Sequence, residues 1–318
     1  MQGTGRAKRR MMWIVAALVA AAIATYFVIT APVAFDASVA RPAFGSGKGP
    51  TILFDAAHHN RHRIDDTYRP FAKLLRNDGF QLRALSEPPS AASLADGQIM
   101  AIVTAESDTQ TKDSPAFSAA DVSALVEWIR NGGSLLLVTD HAPYPNAVET
   151  VAQALGLEVA KGMTFDAKQF RAGTGDDSRL VFSAANGLLG KHPIIAGRDA
   201  SETVKDVETF TGDAFKLAPG MTPLLTLSPT AISRTGVPKV SRSGGDVIVT
   251  TNFVDPHPVG GWVQGGAFTL GKGRVVVLAE AAMISAQEDN GRKLGMNSAD
   301  NDNKQFLLNL MRWLGHAL

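Results

Sequence analysis

The sequence predicts an α/β fold, a mostly parallel sheet with a β-rich insertion, preceded by one apolar N-terminal segment. Three observations carry this. From residue 51 onward, short β-rich runs alternate with helical apolar periodicity, the mark of βαβ units. Residues 157–250 turn rich in Gly, Thr, Ser and Pro and hold only short apolar pieces. Residues 11–35, "MMWIVAALVAAAIATYFVITAPVAF", hold no charge.

The elements follow in order. "TILF" (51–54) reads as the first strand, and "TYRPFAKLLRNDGF" (67–80) as a helix with Phe71, Leu74 and Leu75 on one face. Asp66 or Thr67 is its expected cap, Pro70 fits its first turn and Gly79 ends it. "QLRAL" (81–85) and "QIMAIVT" (98–104) are the second and third strands. A helix capped by Ser118 and closed by Gly132 and Gly133 leads into a fourth strand from Ser134 to Thr139. Its Val122, Leu125, Val126 and Ile129 form a core stripe. A helix is expected near 147–155, then the insertion with "VETFTGDAFKL", "TPLLTL" and "DVIVTTNF" as antiparallel pieces. "GRVVVLAEAAMIS" (273–285) reads as a buried strand, and "NKQFLLNLMRWLGHAL" as an amphipathic terminal helix.

The first fifty residues set expectations for location. About 20 strongly apolar residues before Pro32 suffice to cross a bilayer. Arg6, Lys8, Arg9 and Arg10 precede them and should stay in the cytoplasm. The expectation is a single-pass inner-membrane anchor (1–35), a linker (36–50) and a periplasmic domain (51–318). A cleaved signal peptide and secretion is the alternative, because "APVA" offers small residues to a peptidase, although the apolar run exceeds the usual core of about 7–15 residues.

Composition narrows the function classes. Lys plus Arg total 31 against 30 acidic residues, so no net charge draws the chain to nucleic acid. Without cysteine there is no disulfide, thiolate nucleophile or zinc–thiolate site. No phosphate loop or GxSxG elbow is present, since "GTGDD" (173–177) and "GGWVQGG" (260–266) neither follow a strand nor open a helix.

Ligands of open α/β sheets bind beyond the carboxyl ends of the strands. There the sequence places Asp55, His58, His59, Asn60 and His62 after the first strand, Asp140 and His141 after the fourth, and Glu280 at the end of the late one. Imidazoles with carboxylates suit a divalent metal such as zinc, or metal-free acid–base work. Each also has a plainer reading: Asp55 as a turn cap, His59 and His62 as surface loop residues, and Asp140–His141 as a turn with Pro143 and Pro145. Glu280 sits among apolar neighbours and needs a partner.

Taken together, "FDAAHHN", "GGSLLLVTDHAP", "HPI", "GRVVVLAEAAMIS" and "DNDNKQFLLNLMRWL" resemble exported proteins with a class I glutamine amidotransferase-like domain of no assigned function. These are related to the gliding-motility auxiliary component of ABC transporters. The resemblance spans residues 50–318 and implies a flavodoxin-like three-layer sandwich. Active members carry a cysteine nucleophile after a central strand, where Thr139, Asp140 and His141 stand here, so the thiol route is closed.

The expectation is then a His/Asp/Glu pocket. Asp140, His141 and Glu280 are its catalytic candidates, Asp55, His58 and His59 its metal ligands, and Asn60, Gln287 and Asn297 its substrate-orienting residues. The reaction would be a metal-assisted or His/carboxylate hydrolysis. The alternative is a non-catalytic module that binds a small molecule or joins an envelope ABC transporter.

Overall fold

A computed structural model describes residues 34–107, 114–243, 246–289 and 291–318. The chain runs β1 (Thr51–Asp55), α1 (Arg69–Asn77), β2 (Gln81–Leu85), β3 (Ile99–Val103), α2 (Ala119–Arg130) and β4 (Ser134–Val138). The short helices α3 (Tyr144–Ala147) and α4 (Glu149–Ala154) follow. Next come β5 (Met163–Phe165), β6 (Val181–Ser183), α5 (Pro193–Ala196), β7 (Asp206–Glu208), β8 (Thr222–Thr226), β9 (Ile232–Ser243) and β10 (Asp246–Pro258). The last elements are β11 (Val263–Leu270), β12 (Gly273–Leu278), β13 (Ala286–Asp289), β14 (Arg292–Gly295) and α6 (Asn303–Leu314).

The main sheet has the order β2-β1-β3-β4-β12-β11-β8. Its first five strands pair in parallel; β11 and β8 extend it antiparallel. Every residue of β3 and β4 is buried, as central parallel strands covered on both faces must be. Alternate residues serve opposite faces. Ile52, Phe54, Ala101, Val103, Leu136 and Val276 pack against α1 and α6, while Leu53, Met100, Ile102, Leu137 and Val275 pack against α2 and α4. Helices on both faces make three layers.

Several expectations need correction. Neither Asp66 nor Thr67 caps α1: Tyr68 stands at the cap position without a side-chain bond, and the Thr67 hydroxyl lies 2.7 Å from His62 Nδ1 instead. The helix expected at 147–155 is two short ones meeting at Val148. The late strand stops at Leu278, and the chain turns into a 3-10 turn at Ala282–Ile284. The β-rich region reaches beyond residue 250, and "GGWVQGG" runs into β11. There a Cβ on Gly266 would lie 2.4 Å from the Met221 sulfur, so any larger residue would displace the Met221 side chain. Helix α6 is not amphipathic, since Phe306 through Leu314 are all buried, including Asn309 and Arg312. Arg312 can lie there because Asp78 takes two of its N–H groups, at 2.9 and 2.8 Å.

Residues 36–50, expected as a linker, lie against the domain. Ala37 is buried, Phe44 meets Phe80 edge-on at 5.0 Å, and Asn77 and Lys304 donate to the carbonyls of Ala37 and Asp36. The expected membrane segment falls, up to Val33, outside the described residues; among those described, no helix is long and apolar enough to cross a membrane.

Candidate functional site

The parallel topology delivers the predicted polar residues to one edge but divides them into two groups. Since β3 lies between β1 and β4, Asp55 and Asp140 sit about two strand spacings apart, roughly 10 Å. Asp140 and Glu280 follow adjacent strands.

The first group surrounds the point where strand order reverses, between β1 and β3. The Asp55 carboxylate, fully buried, accepts from His58 Nδ1–H at 2.9 Å and from Asn60 Nδ2 at 3.0 Å. A carboxylate only accepts here, so Nδ1 carries the proton of this bond, and in the neutral ring the lone pair is on Nε2. The His58 ring stacks on Phe117 with centroids 3.8 Å apart. Asn60 spends its other N–H on the Val103 carbonyl, and its Oδ1 accepts from the His58 amide. His59 (φ 48°) and Thr104 (φ 41°), on the loops after β1 and β3, both hold positive φ, which a residue with a Cβ adopts only at a cost of order 1–3 kcal/mol. Thr104 in turn accepts the amides of Arg61 and His62.

Beside this network opens a crevice of about 730 Å³, lined by Asp55, His59, Asn60, Arg63, Asp65, Ser86 and Glu106 among others. Its size suits a small molecule, and it lies where open α/β sheets hold ligands. The expected metal set does not form: Asp55 and His58 bond each other, and His59 is exposed on the rim. Among the described residues no group of three His, Asp or Glu side chains is placed to hold a metal ion. His62, expected at the surface, is buried and stacked on Tyr68 at 4.7 Å, and burial lowers its pKa to about 3.

The second group is a buried acid cluster. Asp140 accepts from the amides of His141 (2.7 Å) and Ala281 (3.1 Å). Glu280, fully buried, accepts from the amides of Ala282 and Met283, and so holds the 3-10 turn that ends the late strand. Backbone donors are thus the partners that its apolar setting demanded. Sequence reasoning missed Asp213 and Tyr68. Asp213 accepts from the amides of Lys161 and Gly162, and the Tyr68 hydroxyl donates to the Ala281 carbonyl at 2.6 Å. Burial pushes Asp140 and Glu280 up, Glu280 further through the Asp140 charge, and raises Asp213 to about 8. No local pattern marks Asp213, which the insertion brings back to the sheet. The helical spacing of Tyr68, Phe71 and Leu75 gave a signal for a buried Tyr68, though not for its bond to Ala281.

The remaining expected residues scatter. His141 is half-buried, its Nδ1–H donating to the Ala142 carbonyl and its Nε2 3.8 Å from Asp140. It lines a smaller cleft of about 390 Å³ with Gly162, Met163, Gly236, Thr251 and Phe253. Gln287 is buried and donates to Ser285 Oγ, and the Asn297 amide is buried without a hydrogen-bond partner; neither lines the crevice.

No family model matches the chain, and no curated protein does. Among solved structures, the N-terminal domain of mmIFT52 is similar over 83% of this chain and 97% of its own, at 12% identity and a TM-score of 0.58. A ThuA-like protein from Parabacteroides merdae is 12% identical over 84% of this chain and 90% of its own, with a TM-score of 0.43. One from Bacteroides uniformis is 13% identical over 89% and 94%, with a TM-score of 0.38. The first shows a shared fold and nothing of activity; the looser fit of the other two carries no argument.

Proposed function

We propose that the chain is a ligand-binding module of the flavodoxin-like, class I glutamine amidotransferase-like type. It is held at the periplasmic face of the inner membrane by residues 11–35 and takes a small polar molecule in the β1/β3 crevice. One observation carries the reading. The buried acids expected to do chemistry are committed to fixing loops, while the crevice is lined by Glu106 and by the exposed Arg63–Asp65 pair, joined at 2.9 Å, which water or a ligand can reach. Such a wall suits a ligand with hydroxyl, amine or carboxylate groups rather than an apolar one.

Saturation-transfer NMR against neutral sugars, amino acids and short dicarboxylates is the test. Binding by the parent chain, weakened about tenfold in Glu106→Gln or Arg63→Gln, is expected. Binding that both variants leave intact would place the ligand elsewhere.

A second reading rests on the Asp55–His58 pair. A buried carboxylate on Nδ1 leaves Nε2 as a base, the arrangement a hydrolase uses to orient its histidine. Turnover of an ester or amide by the parent chain, lost in His58→Gln while the fold persists, would favour it over simple binding.

A further inference from the structure

We propose that the exposed face of α1 is a docking surface for anionic phospholipid headgroups. The inference rests on the reading of residues 11–35 as a membrane anchor.

The argument begins with the solvent side of α1. Arg69, Lys73 and Arg76 are exposed at spacings of four and three, which puts them in one row down the helix. The helix "RPFAKLLRN" has no acidic residue, and among the described residues none of the three cations is in an ion pair. The Arg69 guanidinium donates to the Asp65 carbonyl at 2.8 Å. Acidic groups do lie near the row: Asp65 and Asp66 precede the helix, and the exposed Asp36, whose carboxyl is held below the usual range first by its hydrogen bonds from Ser38 and then by Lys304, also feels Lys73 weakly. The chain as a whole is nearly neutral, so this row is a local concentration of charge rather than a sample of a basic surface.

Position decides what the row meets. The chain is fixed to the domain from Phe35 onward: Phe35 packs on the core under the Lys304 ammonium, Lys304 donates to the Asp36 carbonyl, and Asn77 at the end of α1 donates to Ala37. Phe35 stands three residue steps after Pro32, where the strongly apolar run ends. At about 3.5 Å per residue they reach roughly 10 Å, close to the screening length of about 8 Å at physiological salt. Anchored this way, the domain cannot leave the zone in which headgroup charge is felt. The cations beside the chain's exit are the groups held in it.

Lipids distinguish this from a solvated row. The full chain is placed in nanodiscs of phosphatidylcholine alone or with phosphatidylglycerol, and flotation first reports whether it is inserted. Amine-reactive labelling of Lys73 is then read against Lys216, which is exposed on the β11 side of the molecule. Protection of Lys73 by at least about fivefold in the anionic discs, reduced about fivefold for each cation removed in Arg69→Gln and Arg76→Gln and lost in high salt, is expected. Flotation with equal Lys73 labelling in both lipids would overturn the docking surface and leave the anchor standing. Failure to float in either lipid would overturn the anchor reading and, with it, this proposal.

Discussion

Asp213 accepts hydrogen bonds from the backbone amides of Lys161 and Gly162, which favour its charged form, yet burial outweighs them and pushes its pKa to about 8 from an ordinary 3.8. The folded chain therefore binds a proton that the unfolded chain has released between those values. Stability from this group is fully present below the unfolded pKa and is lost as pH rises through the folded one. Asp140 and Glu280, both raised, act in the same direction. Unfolding in urea should show stability falling with pH, by up to about 1.4 kcal/mol per pH unit for each such group, most plainly between pH 6.5 and 8, because below 6.5 the lowered pKa of His62 acts in the other direction. Asp213→Asn should flatten the slope; an unchanged slope would remove Asp213 from the account. Asp78 is a buried carboxylate of another kind, paired with Arg312 at 2.8 Å. Asp78→Ala should cost about 3 kcal/mol by taking two hydrogen bonds from a buried guanidinium that keeps only Glu202, at 3.1 Å, as a charge partner, and Asp78→Leu with Arg312→Met should recover most of that. If the double variant is as unstable as the single one, lost packing rather than lost charge compensation is the cause.

Helix α2 shows an element whose ends are written locally. Ser118 accepts from the Asp121 amide at 3.2 Å and Asp121 from the Ser118 amide at 2.8 Å, a reciprocal cap within four residues. Ser118→Ala should cost about 1 kcal/mol in urea unfolding, and no loss would mean that packing of Leu125 and Ile129 alone sets the helix start. That locality explains what could be read in advance. Strands β1, β3, β4 and β12 are marked by their own apolar runs, and with them the carboxyl-end positions of Asp55, Asp140 and Glu280. Which of these acids meet depends on strand order, and β3 coming between β1 and β4 is no property of either motif. The Glu280 partners lie two and three residues on, but reading them requires knowing that the strand stops at Leu278. Thr67 looked like a cap and was taken by His62 instead, a competition that only the folded loop decides. In α6, Arg312 gave a polar face to the pattern because its partner, Asp78, is more than 200 residues away in sequence.

The same distance effect governs how the N-terminal segment joins the domain. Residues 36–50 have a linker's composition, yet their backbone supplies bonds that the core uses. The Arg41 carbonyl accepts from both Arg312 and Arg198, and Asp78 accepts from the Ala43 amide. Phe44 covers Phe80, and Arg41 spans Asp199 and Glu202 on the far side of α6. The segment thus supplies acceptors around the Arg312–Asp78 pair, whose cost of burial falls with each N–H that finds one; Nη1, with no hydrogen bond among the described residues, rests on its contact to Glu202 at 3.1 Å. A chain beginning at residue 50 should lose these acceptors and the Phe44 packing together, a destabilisation of about 3 kcal/mol or more against a chain beginning at residue 34. Urea unfolding of the two decides it. Equal midpoints would make the segment a tether laid over a domain that is complete without it. A large loss would mean that the span between apolar segment and domain is part of the fold, so a membrane anchored through it would hold the β1/β3 crevice in a defined orientation.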